Sequence, residues 1–157
     1  FPGMHLVTYP LRPTSRGSVH ITRLDPDAPP DLVTNYRDTE EDRQSMIGAV
    51  RMARRLVQQP ALKAIVEAET MPGPDYDSDE KILEAYDRFG TCGYHAVGSC
   101  RMGRDPATSV IDPAMRVHGL QGIRIMDTSA LPAIPSGNTN GPVMAMAWRA
   151  ADIILRG

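Results

Sequence analysis

Tyr94-His95-Ala96-Val97-Gly98-Ser99-Cys100-Arg101-Met102-Gly103 sets a histidine at the head of a glycine-punctuated, nearly uncharged run. Gly98 and Gly103 disfavour regular structure, so the segment is expected to be a constrained turn rather than the interior of a helix or strand. Such a turn can hold an imidazole at the edge of a cavity, where the ring can accept a proton near neutral pH. Taken alone, His95 reads as a structural histidine sooner than as a catalytic one. The segments around it carry the distinction.

Downstream, Ile123-Arg124-Ile125-Met126 reads as a short strand entering Asp127-Thr128-Ser129. A polar, constrained loop follows: Leu131-Pro132-Ala133-Ile134-Pro135-Ser136-Gly137-Asn138-Thr139-Asn140-Gly141-Pro142. It leads into a final helix with Pro142 in its first turn and Arg156-Gly157 at its end. That helix is apolar nearly all round, with Arg149, Asp152 and Arg156 as one polar stripe, so it is expected to be buried on most sides. A chain with 5% aromatic residues is short of material to cover it.

Upstream, Leu6-Val7-Thr8-Tyr9 and Ser18-Val19-His20-Ile21-Thr22 are β-rich runs separated by Pro10, Pro13 and a turn at Gly17. Asp25-Pro26-Asp27-Ala28-Pro29-Pro30 is expected to break any regular element. Thr39 then caps a helix whose apolar residues Met46, Val50, Ala53 and Val57 recur at helical spacing, up to Gln58-Gln59-Pro60. A shorter helix is predicted from Pro60 to about Glu67. A third is predicted from Ser78 to Arg88, with Asp77 and Glu80 as a capping box and Gly90 closing it.

Composition bounds the partners. The 157 residues are 41% hydrophobic, enough for an ordinary core, and the net charge of −2 leaves no electrostatic footprint for nucleic acid. No apolar run reaches the length of a membrane span. Asp75-x-Asp77-x-Asp79 resembles the start of a calcium loop, but Glu80 stands where glycine is needed and Tyr86 where the bidentate glutamate is needed. Cys92, His95 and Cys100 lack a second close pair to complete a zinc site, so no metal is expected. The two cysteines make no disulfide framework; Cys100 reads as a small core residue, and His5, His20 and His118 as structural.

Three segments in this order resemble the C-terminal signatures of the glucose–methanol–choline (GMC) oxidoreductases, flavin-dependent alcohol oxidases and dehydrogenases. The family pattern His-Pro-x-Gly-Thr-Cys-x-Met-Gly is matched by His95 to Gly103, with Ala96 and Ser99 as departures. The pattern Val-x-Gly-x-x-x-Leu/Ile-Arg-Val/Ile-x-Asp-Ala-Ser is matched from Val117 to Ser129, with Thr128 for alanine. Gly-Asn-x-Asn-x-Pro before an apolar helix is matched by Gly137 to Pro142. Arg12-Pro13-Thr14-Ser15-Arg16-Gly17 is similar to a strand-entry motif of the same family, and Asn35-Tyr36 to a pair found there.

The resemblance implies an α+β/α-β fold: the C-terminal part of a two-domain flavoenzyme, with an antiparallel-sheet substrate domain and helices, plus a return segment completing the Rossmann-like FAD domain. Residues 1–104 would be the substrate-domain portion with the catalytic histidine, and residues 105–157 the returning segment. By position, His95 would take the proton of a substrate alcohol while hydride passes to flavin N5, and Asn138 would hold the alcohol oxygen by hydrogen bond. Asp127, Thr128, Thr139 and Asn140 would touch FAD, with Ser129 in the same turn. No two glycines are separated by a single residue, so the Gly-x-Gly-x-x-Gly phosphate fingerprint is absent and an N-terminal FAD-binding polypeptide is the expected partner. The same fold also serves hydroxynitrile lyases and fatty-acid photodecarboxylases. A non-catalytic assembly or binding subunit is the reading from another class.

Overall fold

Thr39 starts the first long helix as the sequence requires. Its backbone is extended (φ −92°, ψ 151°) and its hydroxyl accepts the Asp42 amide, a cap that contributes about 1 kcal/mol. Helix α1 (Glu40–Val57) follows, with Glu40, Glu41 and Asp42 at its positive end and Arg54 and Arg55 in its last turn. Met46 and Ile47 are buried, and Val50, Ala53 and Val57 partly so, which is the apolar face that the periodicity predicts. Helix α2 (Pro60–Lys63) is a single turn, shorter than predicted. Beyond it the amides of Ile65 and Val66 both turn back to the Leu62 carbonyl, so turns rather than helix continue the chain. Helix α3 (Asp79–Phe89) is capped by Ser78, whose hydroxyl accepts the Lys81 amide; Asp77, the expected partner of the capping box, is not the cap. It packs on α1 through buried Ile82 and Ala85.

The computed structural model describes residues 3–156, and Gly157, the expected last residue of the final helix, lies outside them. The chain divides into two units: residues up to Arg16 with Asn35–Cys92, and Gly17–Thr34 with the chain from Gly93 onward. The first unit holds α1, α2 and α3. Two polar clamps fix its loops to α1. Asp42, 1% exposed, accepts the amides of Thr14 and Ser15 at 2.9 and 2.8 Å. Arg54 grips Glu69 with two hydrogen bonds of 2.8 Å and also donates to the carbonyls of Tyr76 and Gly73. The Arg54 hydrogen bond holds the Glu69 carboxyl below its ordinary range. Leu6 to Tyr9 form no strand: their backbone is irregular up to Pro10.

In the second unit, β1 (Ser18–His20) pairs antiparallel with β2 (Asp31–Val33), in the register Ser18 to Val33 and His20 to Asp31. The expected strand through Thr22 is thus shorter. Its partner β2 directly follows Pro29-Pro30, the segment expected to break any regular element. The prolines precede β2, where no ladder amide is required of them. This two-stranded sheet is the extent of regular antiparallel sheet among the described residues. Ile123 to Met126 is not a strand either; Arg124 makes one bridge to Arg116, and Val117 and Ile125 add single backbone bonds to the same crossing.

The core of the second unit is small. Ile111, Met115, Ala130 and Ala150 are buried together, with Met102, Val117, Ile125, Met126 and Ile153 packed against them. A 3-10 turn, Thr128–Ala130, is capped by Asp127, whose carboxylate accepts the Ser129 amide at 2.7 Å. The last helix, α4 (Asn140–Leu155), starts two residues before Pro142, which therefore sits in the first turn as predicted. Of its residues only Ala150 is fully buried, while Met144, Trp148 and Leu155 stand in solvent. The expectation of burial on most sides is not met by the residues of this chain.

Candidate active site

The residues singled out between 94 and 141 come together in the second unit by backbone bonding. Gly98 and Cys100 both donate their amides to the Ser129 carbonyl at 3.1 Å, and Met102 donates to the Ala130 carbonyl at 3.0 Å. The turn after His95 is thereby laced onto the Asp127-Thr128-Ser129 turn. Gly98 makes this possible with φ +90°, a conformation that residues with a Cβ rarely adopt. Gly103 is required for a different reason: a Cβ there would lie 2.8 Å from the Ser109 Cβ. As expected, the run from Tyr94 to Gly103 contains no helix or strand, only a turn and a bridge from Met102 to Ile111.

The next layer braces this arrangement. Ser109 donates to the Asp105 carbonyl at 2.6 Å, and His118 Nε2 lies 3.1 Å from the same hydroxyl and 3.3 Å from the Gly103 carbonyl. With its proton on the Asp105 carbonyl, the Ser109 hydroxyl accepts from His118, which is a structural use of both residues. Asp112 accepts the amides of Ala114 and Arg116 and the Arg116 side chain. Burial pushes the Asp112 carboxyl up, and these hydrogen bonds, led by the Arg116 amide, outweigh it and hold it below the usual range.

His95, at the open end of this framework, is half-buried. Its Nε2 lies 2.9 Å from Asn138 Oδ1, and its Nδ1 lies 3.2 Å from Thr139 Oγ1. The loop before α4 thus delivers two consecutive side chains to the two ring nitrogens. Neither neighbour is charged. A doubly protonated ring would donate to both oxygens; a neutral ring needs one partner to turn and donate, which a hydroxyl does by rotation and an amide by flipping. The pair is suited to a histidine that changes protonation state.

His95, Asn138 and Thr139 are therefore in direct contact, and Asp127 and Thr128 belong to the turn tied to the His95 loop. Asn140 is exposed as the first residue of α4. Ser129 adds a distinct feature: its hydroxyl is buried and makes no hydrogen bond within the described residues. The contact of Thr139 with His95 could not be read from the sequence, where a threonine before a helix signals a cap and nothing more.

The family described as GMC oxidoreductase matches this chain over residues 13–147. The chain is 42% identical over 149 residues to an oxygen-dependent choline dehydrogenase of Staphylococcus saprophyticus, covering 92% of this chain and 26% of that protein. A solved fungal aryl-alcohol oxidase is similar over 93% of this chain and 24% of its own, with a TM-score of 0.80 at 32% identity. An FAD-dependent oxidoreductase from Chaetomium thermophilum is similar over 93% of this chain and 25% of its own, with a TM-score of 0.85 at 26% identity. The chain spans about a quarter of the length of the curated relatives it matches. With a match across most of its length and its signature segments joined at one site, this chain belongs to the GMC oxidoreductase family.

Proposed function

We propose that this chain supplies the catalytic base of an FAD-dependent alcohol oxidoreductase. The contact of His95 Nε2 with Asn138 Oδ1 at 2.9 Å carries the reading, because it pairs a proton acceptor with an amide able to bind a hydroxyl oxygen. An alcohol entering at this pair gives its hydroxyl proton to His95 Nε2 while Asn138 holds its oxygen. Imidazole suits the step because it titrates near working pH, whereas the amide has no basic lone pair and serves only to orient. The carbon that loses hydride becomes the carbonyl carbon of an aldehyde or ketone.

The chain's residues fit a bound flavin. The buried, unpartnered hydroxyl of Ser129 lies in the turn braced against the His95 loop, ready for an acceptor or donor from outside the chain. Asp127 and Thr128 of that turn, and Thr139 and Asn140 at the start of α4, would hold FAD, with the helix N-terminus favouring negative charge. When bound, FAD supplies a two-electron acceptor that takes hydride at N5. The phosphate-cradling glycines come from an N-terminal FAD-binding polypeptide, since this sequence has none. In that assembly residues 1–104 form part of the substrate domain and residues 105–157 return to the FAD domain.

The experiment is an anaerobic one on the assembled flavoenzyme. Primary alcohols, aryl alcohols and choline are mixed with it in turn while the flavin spectrum is followed. Bleaching by at least one alcohol is expected. A flavin that no alcohol reduces would overturn the reading in favour of a lyase, a photoenzyme or a binding subunit on the same fold.

A further inference from the structure

Thr139 and Thr39 occupy the same position at the starts of two helices, and their hydroxyls do different things. Thr39 has an extended backbone and caps α1 through the Asp42 amide. Thr139 has helical torsions, φ −81° and ψ −18°, and makes no capping bond to α4. Its hydroxyl lies instead 3.2 Å from His95 Nδ1, in a residue only 5% exposed. A threonine at an N-cap ordinarily satisfies a free helix amide. Here the hydroxyl is committed to an imidazole 44 residues earlier in the chain.

We propose that Thr139 is a positioning residue for His95: its buried hydroxyl holds Nδ1, so that Nε2 is the nitrogen presented to Asn138 and to the reacting hydroxyl. The inference rests on the reading of His95 as the base. A hydroxyl suits this task in both protonation states of the ring. Accepting from Nδ1–H, it favours the tautomer that carries its lone pair on Nε2, toward which Asn138 then turns an amide N–H. After Nε2 takes a proton, the same hydroxyl still accepts from Nδ1–H while Asn138 Oδ1 accepts from Nε2–H, so the charged ring is satisfied on both sides without moving. An aliphatic side chain would leave Nδ1 facing apolar atoms and the tautomer unselected. Of the four groups assigned to flavin contact, Thr139 would then meet the cofactor through its backbone rather than its hydroxyl.

The test compares Thr139→Val, Thr139→Ala and Thr139→Ser in the assembled flavoenzyme, with 15N-labelled histidine and anaerobic rapid mixing. The His95 ring signals are identified by their loss in His95→Ala. Val and Ala should slow flavin reduction at least about tenfold, well within the cost of misplacing a catalytic group, with alcohol affinity changed less than about twofold. Ser should recover the rate to within about threefold, because it restores the hydroxyl. The 15N shifts of His95 should report one protonated nitrogen in the wild type and in Thr139→Ser, and a tautomer mixture in Val and Ala. If Thr139→Val does not fold, Thr139→Ala, which adds no bulk, carries the comparison. Wild-type rates with unchanged ring signals would overturn the proposal, as would loss of FAD with an unchanged tautomer, which would return the hydroxyl to the flavin. A normal reduction rate in His95→Ala would instead sink the base assignment itself.

Discussion

His95 Nε2 lies 2.9 Å from Asn138 Oδ1, although 43 residues separate the two in sequence. The approach is built by backbone rather than by the pair's own attraction: the Ser129 carbonyl takes the amides of Gly98 and Cys100, which seats the His95 loop beside the segment leading to α4. The placement of the two segments, held by backbone in this way, does not depend on either side chain. That makes each residue separately testable.

Replacing His95 by alanine is expected to leave FAD bound and to slow flavin reduction at least about a hundredfold, the ordinary scale for losing a general base. Anaerobic stopped-flow with a saturating alcohol measures this. A rate equal to wild type would remove His95 from the chemistry.

At Asn138, aspartate should impair reduction more than histidine does. A carboxylate there would repel the alkoxide-like oxygen that forms as the substrate loses its proton. Histidine can still donate to that oxygen. Equal rates in Asn138→Asp and Asn138→His would mean that the position does not face the reacting hydroxyl.

How much of this was legible beforehand depends on the range of the interactions. Helix α1 was readable because Thr39, its acidic first turn and the Met46-to-Val57 face are all local signals. β2 was not, because a strand of three exposed residues after Pro29-Pro30 exists only through its pairing with β1. Ile123 to Met126 has strand composition but meets its neighbours at single bonds, a tertiary outcome that alternation does not reveal. At the site, the glycines mark the His95 turn, and it is the resemblance to the GMC family that points to His95 and Asn138. The use of the Thr139 hydroxyl depends on torsions of −81° and −18°, which a capping rule does not anticipate.

Gly103 tests the framework rather than the chemistry. A methyl group there would stand 2.8 Å from the Ser109 Cβ and 3.0 Å from its hydroxyl, so Ser109 must shift and its contact with His118 must loosen. Overpacking of this kind costs about 1–3 kcal/mol, and Gly103→Ala should lower the thermal midpoint of the assembled enzyme accordingly. An unchanged midpoint would show that the Ser109 segment yields freely.

Asp42 sets an acid limit on the first unit. Burial alone would raise its carboxyl, but the hydrogen bonds from Ser15 and Thr14 outweigh it and leave it below the ordinary value. For a carboxyl depressed on folding, the stabilisation is fully present above the unfolded value and is lost as pH falls through the folded one. Protection of the Thr14 and Ser15 amides against hydrogen exchange should therefore hold at neutral pH and fall away below about pH 4. Asp42→Asn should weaken that protection at neutral pH and remove its pH dependence, since the two amides lose a charged acceptor worth about 1.5–3 kcal/mol per bond. Protection that is independent of both pH and this substitution would refute the clamp.

The exposed face of α4 carries the prediction about assembly. Trp148 is 80% exposed and Leu155 84%, with Met144 beside them on a helix whose charged stripe is only Arg149, Asp152 and Arg156. Leaving side chains of this size in water forgoes about 1.5–3 kcal/mol each, a large share of the marginal stability of a domain. The helix should therefore be covered by a polypeptide that carries the Gly-x-Gly-x-x-Gly turn, with FAD held between that turn and residues 127–128 and 139–140. Expressed alone, this chain should be insoluble or colourless, and co-expression with such a partner should give a soluble yellow complex. Trp148→Asp should abolish the complex while leaving the His95 framework, which Trp148 does not join, untouched. A soluble, yellow, monomeric product from this chain alone would overturn the assignment, and so would a Trp148→Asp complex that forms with wild-type yield.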